Sequence, residues 1–311
     1  MSAAPNLVPG DSNGREDVFV HDRTTGVTER VSVASDGSEL QSYYYPAVRP
    51  PAISADGRFV AFASEAANLV PGDTNGADDV FVHDRMTGTT ERVSVASDGS
   101  QAVLPVYNCG YGLVSISSDG RYVAFTSAAE NLVSGDTDGK CDVFVHDRMT
   151  GTTERVSVAS DGTQPDGDSS SPTISGDGTV VAFLSRARNL VAGTKPCRIY
   201  PDCSHVFVHD RTTGVTEAID VASDGTPADD GTFDGPTVSF DGKLVAFDTY
   251  ATNLVSEPTL PETWESVFLH DRGTGLTTRV SVASDGTPGT CYNLSPGMSP
   301  DGRFVAFASC A

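Results

Sequence analysis

Three stretches of this chain carry an acidic loop, G-D-x-[ND]-G-x-x-D, whose residue types could bind a metal ion. Its oxygen-bearing side chains recur along a short segment, and a glycine between them lets the chain turn inward. Short loops surround calcium in this way, with carboxylate, amide and carbonyl oxygens as ligands. The candidate ligands are Asp11, Asn13 and Asp17; Asp73, Asn75 and Asp79; and Asp136, Asp138 and Asp142.

A tight turn is the alternative explanation for these loops. An Asn-Gly turn accounts for Gly76, but it does not require Asp73 and Asp79 together. Two corresponding stretches, NLVAGTKPCRIYPDCSH and NLVSEPTLPETWES, lose the acidic pattern, and the first gains Cys197 and Cys203. This replacement indicates that the loop must be held in place, by an ion or by a disulfide. We therefore predict calcium as a structural cofactor that orders the loops and takes no part in catalysis.

The acidic loops belong to a unit that occurs five times. VFVHDR begins at Val18, Val80, Val143 and Val206, and VFLHDR begins at Val267. Each is followed by VASDG, and a block of the form S-x-D-G-x-x-V-A-F also occurs five times. Asp-Gly between apolar runs is a strong hairpin signal, and runs that are apolar on both faces are typical of sheets packed between neighbours. Each unit is therefore predicted to form four antiparallel strands.

Repeated four-stranded units without helices predict an all-β protein, specifically a five-bladed β-propeller. We expect a single propeller domain over residues 1–311. Its blades are predicted at about 38–99, 100–162, 163–225 and 226–286, with 287–311 joined to 1–37 in the last blade. The sequence begins just after the place of a second strand and stops just after one, so the N- and C-terminal strands would together close that blade.

The blocks SPDGRFVAFAS and VFVHDRxTG resemble the TolB-type, WD-like propeller repeat of bacterial periplasmic and secreted proteins, and the resemblance covers all five units. It implies a binding scaffold, because such propellers are mostly non-catalytic. The units here are longer and fewer than those of TolB, so the partners of TolB are not carried over. The acidic loop is similar to the first half of an EF-hand loop and to the calcium loops of integrin-type propellers. It lacks their distal bidentate glutamate, so backbone carbonyls and water would complete the shell.

The charge of the chain disfavours several kinds of partner. The formal net charge is −22, and the lysines are Lys140, Lys195 and Lys243. Nucleic acid is not expected as a partner, because phosphate contacts need clustered Lys and Arg. No apolar run approaches the roughly 18–20 residues of a membrane span. Residues 1–5 do not have the character of a signal peptide. We expect a secreted or periplasmic monomer, and if the protein is exported its signal has been removed from this sequence.

The six cysteines are predicted to form three disulfides, which requires an oxidising compartment. The predicted pairs are Cys109–Cys141, Cys197–Cys203 and Cys291–Cys310. Cys291 and Cys310 lie almost equally far on either side of the Pro300-Asp301 turn, so an antiparallel hairpin would bring them opposite each other. Free thiols or a metal site are the alternative, although no C-x-x-C pair supports zinc.

Residues that recur in every unit are assigned structural roles. The repeated histidines are His21, His83, His146, His209 and His270. The loops that precede the first strand of each unit differ instead, and loops on a rigid scaffold commonly carry function. The candidate ligand-binding residues in these loops are Tyr43, Tyr44, Tyr45, Tyr107, Tyr111, Phe233 and Tyr292. Aromatic rings beside carboxylates could stack on sugars or anchor a protein, or the rings could instead cap the core.

We therefore expect a secreted, calcium-stabilised propeller that binds a glycan or a protein through its long-loop face without catalysis. The alternative function is a glycan-cleaving hydrolase or lyase with its site at the mouth of the central channel. Its carboxylates would come from Asp229, Asp230 or Asp234 together with Asp166 or Asp168. A purely structural module is a third possibility.

Overall fold

The structure is a computed structural model that describes residues 1–42, 48, 50–103, 109, 114–198, 203–256 and 264–310. No α-helix occurs in these ranges, and the regular elements within them are β-strands. The described part of the chain accordingly has no helix long and apolar enough to cross a membrane. The chain divides into two compact units, Met1–Glu154 and Arg155–Ala311.

The first unit contains one two-stranded and two four-stranded sheets. Its strands are β1 (Phe19–His21), β2 (Thr28–Arg30), β3 (Ala52–Ile53), β4 (Phe59–Ser64), β5 (Asp79–Asp84), β6 (Thr89–Arg92), β7 (Ser115–Ile116), β8 (Tyr122–Ser127), β9 (Asp142–Asp147) and β10 (Thr152–Arg155). β1 pairs with β2, and β3 to β6 and β7 to β10 form antiparallel sheets in which each strand lies next to its neighbour in sequence.

The second unit repeats this organisation, with its two-stranded sheet at the C-terminal end. Its strands are β11 (Ser169–Ile174), β12 (Val180–Ser185), β13 (His205–Asp210), β14 (Val215–Ala218), β15 (Thr237–Val238), β16 (Leu244–Thr249), β17 (Ser266–Asp271), β18 (Leu276–Arg279), β19 (Asn293–Met298) and β20 (Val305–Ser309). β11 to β14 and β15 to β18 form four-stranded sheets, and β19 pairs with β20.

The core of each four-stranded sheet is built by its two central strands. In the sequence these strands are apolar on both faces, and β5 and β9 are in fact buried at every residue. Phe62 of β4 lies opposite Phe81 of β5, with ring centroids 5.9 Å apart. The same cross-strand pair recurs as Phe125–Phe144, Phe183–Phe207 and Phe247–Phe268. These aromatic pairs place large apolar area at the centre of each sheet.

The hairpin predicted from Asp-Gly is present, and D-R-x-T-G forms a second hairpin. In the first, the Ser54 hydroxyl donates to Asp56 at 2.6 Å, and the Asp56 carboxylate accepts from the Arg58 amide at 2.9 Å. In the second, the Gly88 amide donates to the Asp84 carbonyl at 2.8 Å. Gly88 has a φ of 72°, in the left-handed region that glycine adopts without a Cβ clash.

The repeated histidines connect strands and consecutive repeats, as their structural assignment predicts. His83 Nδ1 lies 2.9 Å from Thr90 Oγ1, and the Thr90 hydroxyl donates to the Val33 carbonyl of the preceding repeat at 2.5 Å. Burial lowers the pKa of His83, so the ring is neutral at physiological pH. Equivalent histidine–threonine pairs are His21–Thr28, His146–Thr153, His209–Thr216 and His270–Thr277.

Candidate metal centre and binding loops

The acidic loop of the second repeat folds back onto the start of β5. Asn75 donates from Nδ2 to Asp79 Oδ2 at 3.0 Å, and its Oδ1 accepts from the Ala77 amide at 3.0 Å. The other oxygen of Asp79 accepts from the Ser94 hydroxyl at 2.5 Å. The side chains of Asp73 and Asp79 are 1% and 0% exposed. Two buried carboxylates and a half-buried amide are thus held together.

An arginine lies between the two carboxylates. Arg92, the last residue of β6, places its Nη1 3.3 Å from Asp73 Oδ1 and 3.4 Å from Asp79 Oδ2. The same nitrogen donates to Gln101 Oε1 at 2.8 Å. The loop therefore has an internal cation, which neutralises one of the two carboxylate charges.

Part of the negative charge of this loop is left uncompensated. Neither oxygen of the buried Asp73 carboxylate accepts a hydrogen bond of ordinary geometry. Burial and the nearby Asp79 charge raise the pKa of Asp73 to about 6, although Arg92 opposes this shift. Burial also raises the pKa of Asp79. Buried charges of this kind require a partner, so the loop has capacity for a further cation or for a proton.

The first repeat has the same arrangement. Arg30 Nη1 lies 3.3 Å from Asp11 Oδ1 and 3.7 Å from Asp17 Oδ2, and it donates to Glu39 at 2.5 Å. Asn13 Nδ2 donates to Asp17 Oδ2 at 3.0 Å, and Asp11 Oδ2 is buried without a hydrogen bond. The two loops therefore repeat one geometry.

In the third repeat all three candidate side chains are carboxylates. One oxygen each of Asp136, Asp138 and Asp142 lies within 4.8 Å of the other two, a spacing that could hold a metal ion. Asp136 and Asp142 are buried, and Asp138 pairs with Lys140 Nζ at 3.0 Å. This loop has the most carboxylates and is the strongest of the three candidate calcium sites.

The fourth repeat replaces the acidic set with a histidine and an aspartate. His205 stands where three other repeats have an aspartate and the fifth has Ser266. Its Nδ1 lies 2.5 Å from the Asp220 carboxylate. Its Nε2 donates to the Lys195 carbonyl at 2.8 Å. Burial disfavours the charged form of this ring, but the Asp220 carboxylate and the Lys195 carbonyl together outweigh burial and raise the pKa of His205.

The arginine was not identified as part of the site from the sequence, although a signal for it exists. T-E-R ends the fourth strand of the three repeats that have acidic loops, at Arg30, Arg92 and Arg155. Ala218 replaces it in the fourth repeat, where the acids are also absent. The fifth repeat keeps Arg279 without the acidic loop. The arginine and the acidic loop are therefore both present or both absent in four of the five repeats.

The cysteines pair as the sequence predicts. The structure contains the disulfides Cys109–Cys141, Cys197–Cys203 and Cys291–Cys310. The last of these joins the residues on either side of the β19–β20 hairpin. The Cys197–Cys203 bridge lies beside His205, at the position where the fourth repeat lacks the acids.

The structure describes two of the proposed aromatic ligand-binding residues. Tyr43, Tyr44, Tyr45, Tyr107 and Tyr111 lie outside the described residues. Phe233 is 49% exposed and Tyr292 is 42% exposed, in the loops before β15 and β19. Phe233 also contacts Tyr250 edge-on, with ring centroids 6.4 Å apart. These two side chains therefore present aromatic surface to solvent.

A cluster of carboxylates near these loops was not predicted. Asp248 of β16 accepts from the Thr232 hydroxyl at 2.5 Å and from the Ser295 amide at 3.0 Å, while the Ser295 hydroxyl donates to Asp234 at 2.9 Å. Burial, then the Asp248 and Asp234 charges, raise the pKa of Glu265 to about 8. Burial raises the pKa of Asp248 to about 6.

The sequence signal for this cluster is one aspartate in an otherwise uncharged strand position. Asp248 occupies the place of Ala63, Thr126, Leu184 and Ala308 in the other repeats.

Of the carboxylates named for glycan cleavage, Asp234 belongs to the cluster. Asp166 accepts from the Arg188 amide at 2.7 Å, and Asp229 accepts from the Thr252 hydroxyl at 2.7 Å, so both hold neighbouring loop segments.

Comparison with known proteins defines the fold class. No protein-family model matches the chain, and no curated protein matches it at a significant level. The tricorn protease structure has a TM-score of 0.51 at 14% identity, covering 93% of this chain and 26% of that one. A structure from a study of two prolyl endopeptidases has a TM-score of 0.50 at 14% identity, covering 94% of this chain and 36% of that one. TolB from Acinetobacter baumannii has a TM-score of 0.48 at 20% identity, covering 92% of this chain and 52% of that one.

These similarities concern the fold alone, because every identity is low. The tricorn protease and prolyl endopeptidase similarities, together with the repeated four-stranded antiparallel sheets, confirm that the chain has a β-propeller fold. TolB is also among the similar structures. The chain spans about half the length of the TolB chain and smaller parts of the two peptidase chains.

Proposed function

We propose that this protein is a non-catalytic binding scaffold: a five-bladed β-propeller that holds a protein partner on the loops before the first strand of each blade. The observation that carries the proposal is the exposure of Phe233 and Tyr292 in these loops. Four repeats bury a pair of core phenylalanines in the same way, whereas these rings vary between repeats and face solvent. Exposed aromatic anchors are enriched at protein interfaces. The net charge of −22 favours a partner with a basic contact surface.

Capture experiments with matched variants test the binding face. The immobilised chain is exposed to secreted proteins of the source organism and, in parallel, to a glycan array. We expect a protein to bind the native chain. The Phe233→Ala/Tyr292→Ala variant should no longer bind it, and the Met86→Ala/Met149→Ala variant should still bind it. The two methionines are each 77% exposed on hairpin turns, so they control for loss of apolar surface elsewhere. If the native chain bound a glycan and the aromatic variant did not, the ligand would be a carbohydrate instead. If only the methionine variant lost binding, the loop face would be rejected as the binding face.

Closure of the last blade is part of this proposal. β1–β2 and β19–β20 are both two-stranded sheets at the ends of the chain, and they correspond to the last and first halves of one repeat. Deletion of residues 1–37 should therefore lower the melting temperature of the unit that contains β19–β20. Trp264, the single tryptophan of the chain, lies in that unit and reports its unfolding. An unchanged melting temperature would contradict closure.

Calcium is proposed to stabilise the three acidic loops. The support is the pair of buried Asp73 oxygens without hydrogen bonds and the three clustered carboxylates of Asp136, Asp138 and Asp142. In the second repeat, Asp73, Asn75 and Asp79 would hold the ion, while Arg92 would keep its bond to Gln101. The ion would supply charge compensation and would fix the loops.

Thermal unfolding in chelator and in millimolar calcium tests the ions against the arginines. If Arg30 and Arg92 alone stabilise the loops, the two melting temperatures will be the same. We expect a higher melting temperature in calcium, and a smaller calcium effect in Asp136→Asn/Asp138→Asn. Asp98→Asn is a suitable control, because Asp98 is an exposed turn residue outside the loops.

An extracytoplasmic location is part of this proposal, and the three disulfides support it. The three disulfides are stable in an oxidising compartment and not in the reducing cytosol. Quantitative thiol titration of native protein isolated without reductant tests this proposal. Six reactive thiols would contradict it.

Glycan cleavage is a second candidate function, supported by the cluster of Asp234, Asp248 and Glu265. A carboxylic acid with its pKa raised to about 8 is protonated at neutral pH and can act as a general acid beside an ionised carboxylate. Reducing-end assays on any bound glycan test this function. Activity lost with Glu265→Gln and kept with Glu130→Gln would support it, and binding without product release would reject it.

A further inference from the structure

The loop between β12 and β13 reverses the charge of the equivalent loops. Its charged residues within 186–204 are Arg186, Arg188, Lys195, Arg198 and Asp202, so it is net positive in a chain whose formal net charge is −22. The equivalent loop of the second repeat, residues 65–78, has no basic residue, and its acids are Glu65, Asp73 and Asp78. Arg186 takes the place of Glu65, and Arg188 takes the place of Glu130 in the third repeat. We call residues 186–198 the basic loop.

The main chain of the basic loop is fixed by the structure around it. The Cys197–Cys203 disulfide closes its C-terminal end. The Arg188 amide donates to Asp166 Oδ1 at 2.7 Å, and the Lys195 carbonyl accepts from His205 Nε2 at 2.8 Å. A loop that is ordered before it binds loses less conformational entropy on binding. The basic loop therefore presents its side chains from a preformed backbone.

The basic side chains themselves are available to a ligand. Arg186, Arg188, Lys195 and Arg198 are all exposed. Within the described residues, no ion pair uses the side chain of Arg186, Arg188 or Lys195. Burial and the Arg188 charge oppose the rise in the pKa of His205, so the Arg188 guanidinium lies near the ring that binds the Lys195 carbonyl. The segments that carry Arg188 and Lys195 therefore meet at one place.

An exposed aromatic ring adjoins the basic loop. The Ser204 amide donates to the Thr232 carbonyl at 3.0 Å, and the Thr232 amide donates back at 2.9 Å. Phe233, which is 49% exposed, follows Thr232 directly. Arg198 Nε lies 3.8 Å from Asp229 Oδ2 in the same loop as Phe233, a partly exposed pair of modest strength. The cations and the ring thus belong to adjoining loops of the second unit.

We propose that the basic loop binds an acidic segment, rich in Asp and Glu, of the protein partner. The choice of a protein rests on the proposed function, and the charge of the contacting segment is the new element. The planar guanidinium of arginine matches a carboxylate with two parallel hydrogen bonds, and three of the four cations are arginines. Arginine and exposed aromatic rings are also the side chains enriched at protein interfaces.

The local charge of this loop decides the contact in spite of the acidic chain. Charges separated by more than about 8 Å are largely screened at physiological ionic strength. An acidic segment in contact with Arg186 and Arg188 therefore interacts mainly with the cations of the loop. The remaining surface keeps its preference for basic groups, so the partner is expected to carry both signs of charge.

A synthetic probe and a charge-reversal variant test the proposal. Binding of fluorescent decaglutamate to the full-length chain is measured by anisotropy at increasing salt, with decaglutamine and polygalacturonate in parallel. Arg186→Glu/Arg188→Glu places glutamates where the second and third repeats already have them, so the fold accepts these residues. Arg23→Glu/Arg303→Glu changes the net charge equally at two exposed hairpin residues and is the control. Circular dichroism verifies that all chains are folded.

We expect the native chain to bind decaglutamate at low salt, to bind it more weakly as salt rises, and not to bind decaglutamine. Arg186→Glu/Arg188→Glu should weaken binding by about 10-fold or more, because two attractive contacts are lost and two repulsive ones are gained. The control should change it by less than about 2-fold, because its residues lie outside the loop. Absence of binding, equal binding by the arginine variant, or equal weakening by the control would overturn the proposal. Tighter binding of polygalacturonate, lost with the arginine variant, would overturn it in favour of an anionic glycan.

The capture experiment separates this inference from the proposed function. A protein that is lost with Phe233→Ala/Tyr292→Ala but kept by Arg186→Glu/Arg188→Glu would support the proposed function and overturn this inference. If no protein were captured while decaglutamate still bound through the arginines, the proposed function would fail and the preference of the basic loop for acidic chains would stand.

Discussion

Glu265 provides a sharp test of the electrostatics of the second unit. Glu265 is 5% exposed, and burial together with the Asp248 and Asp234 charges raises its pKa from 4.5 to about 8. The folded state therefore binds a proton more tightly than the unfolded state does. The stabilisation from this proton is present below about pH 4.5 and is lost as the pH rises through about 8.

The magnitude follows from the size of the shift. One pKa unit corresponds to about 1.4 kcal/mol, so ionised Glu265 costs the folded state at most about 5 kcal/mol. Asp248 titrates in the same cluster, so replacing the Glu265 carboxyl should recover about half, or about 2–3 kcal/mol. Glu265→Gln should thus raise the free energy of unfolding at alkaline pH and leave it nearly unchanged in acid.

Urea unfolding followed by Trp264 fluorescence measures this difference at about pH 5 and about pH 9. Trp264 precedes Glu265 directly, so the signal comes from the same segment. Glu130→Gln, which removes an exposed carboxylate in the other unit, is the control and should change neither value. If Glu265→Gln changed the free energy of unfolding equally at both pH values, the assigned ionisation would be wrong.

Three further substitutions test separate parts of the structure. Arg92→Met leaves buried Asp73 and Asp79 without their cation, so in chelator the free energy of unfolding should fall by about 3–5 kcal/mol. Calcium titration should restore most of that loss, and equal losses with and without calcium would argue against an ion in the loop. Gly88→Ala forces a side chain into the left-handed region and should cost about 1 kcal/mol, whereas Thr87→Ala in the same turn should cost less, as urea unfolding can show. Cys109→Ser/Cys141→Ser opens a loop with a sequence separation of 32 and should lower the free energy of unfolding by about 3–4 kcal/mol. A loss below about 1 kcal/mol in that variant would mean that the bridge does not constrain the unfolded chain.

Repetition made the fold predictable from the sequence. The positions of Gly57 and Gly88 mark two hairpins that the structure contains, and the apolar runs at Phe62 and Phe81 become the buried central strands. The pairing of Cys291 with Cys310 followed from their equal distances to a turn. Each of these inferences needs only local geometry and a regular strand register.

The site was less predictable, because its residues come from separate strands and loops. Arg92 reaches the acidic loop from β6, and only the structure places its guanidinium between Asp73 and Asp79. Asp248 and Glu265 likewise meet through the packing of β16, β17 and β19. The isolated aspartate at position 248 marked an exception in the repeat, but its partners depend on tertiary packing.

Direct counting of bound calcium is the strongest test of the proposal that ions stabilise the acidic loops. The native chain is dialysed to equilibrium against dilute calcium, and protein-bound calcium is measured by mass spectrometry against the dialysate. Three ions per chain are expected, one for each acidic loop, and Asp73→Asn/Asp79→Asn should hold one fewer while the Asp98→Asn control holds the same number. A native, folded chain that retains no calcium above the dialysate would contradict the account and would leave Arg30 and Arg92 as the cations of their loops.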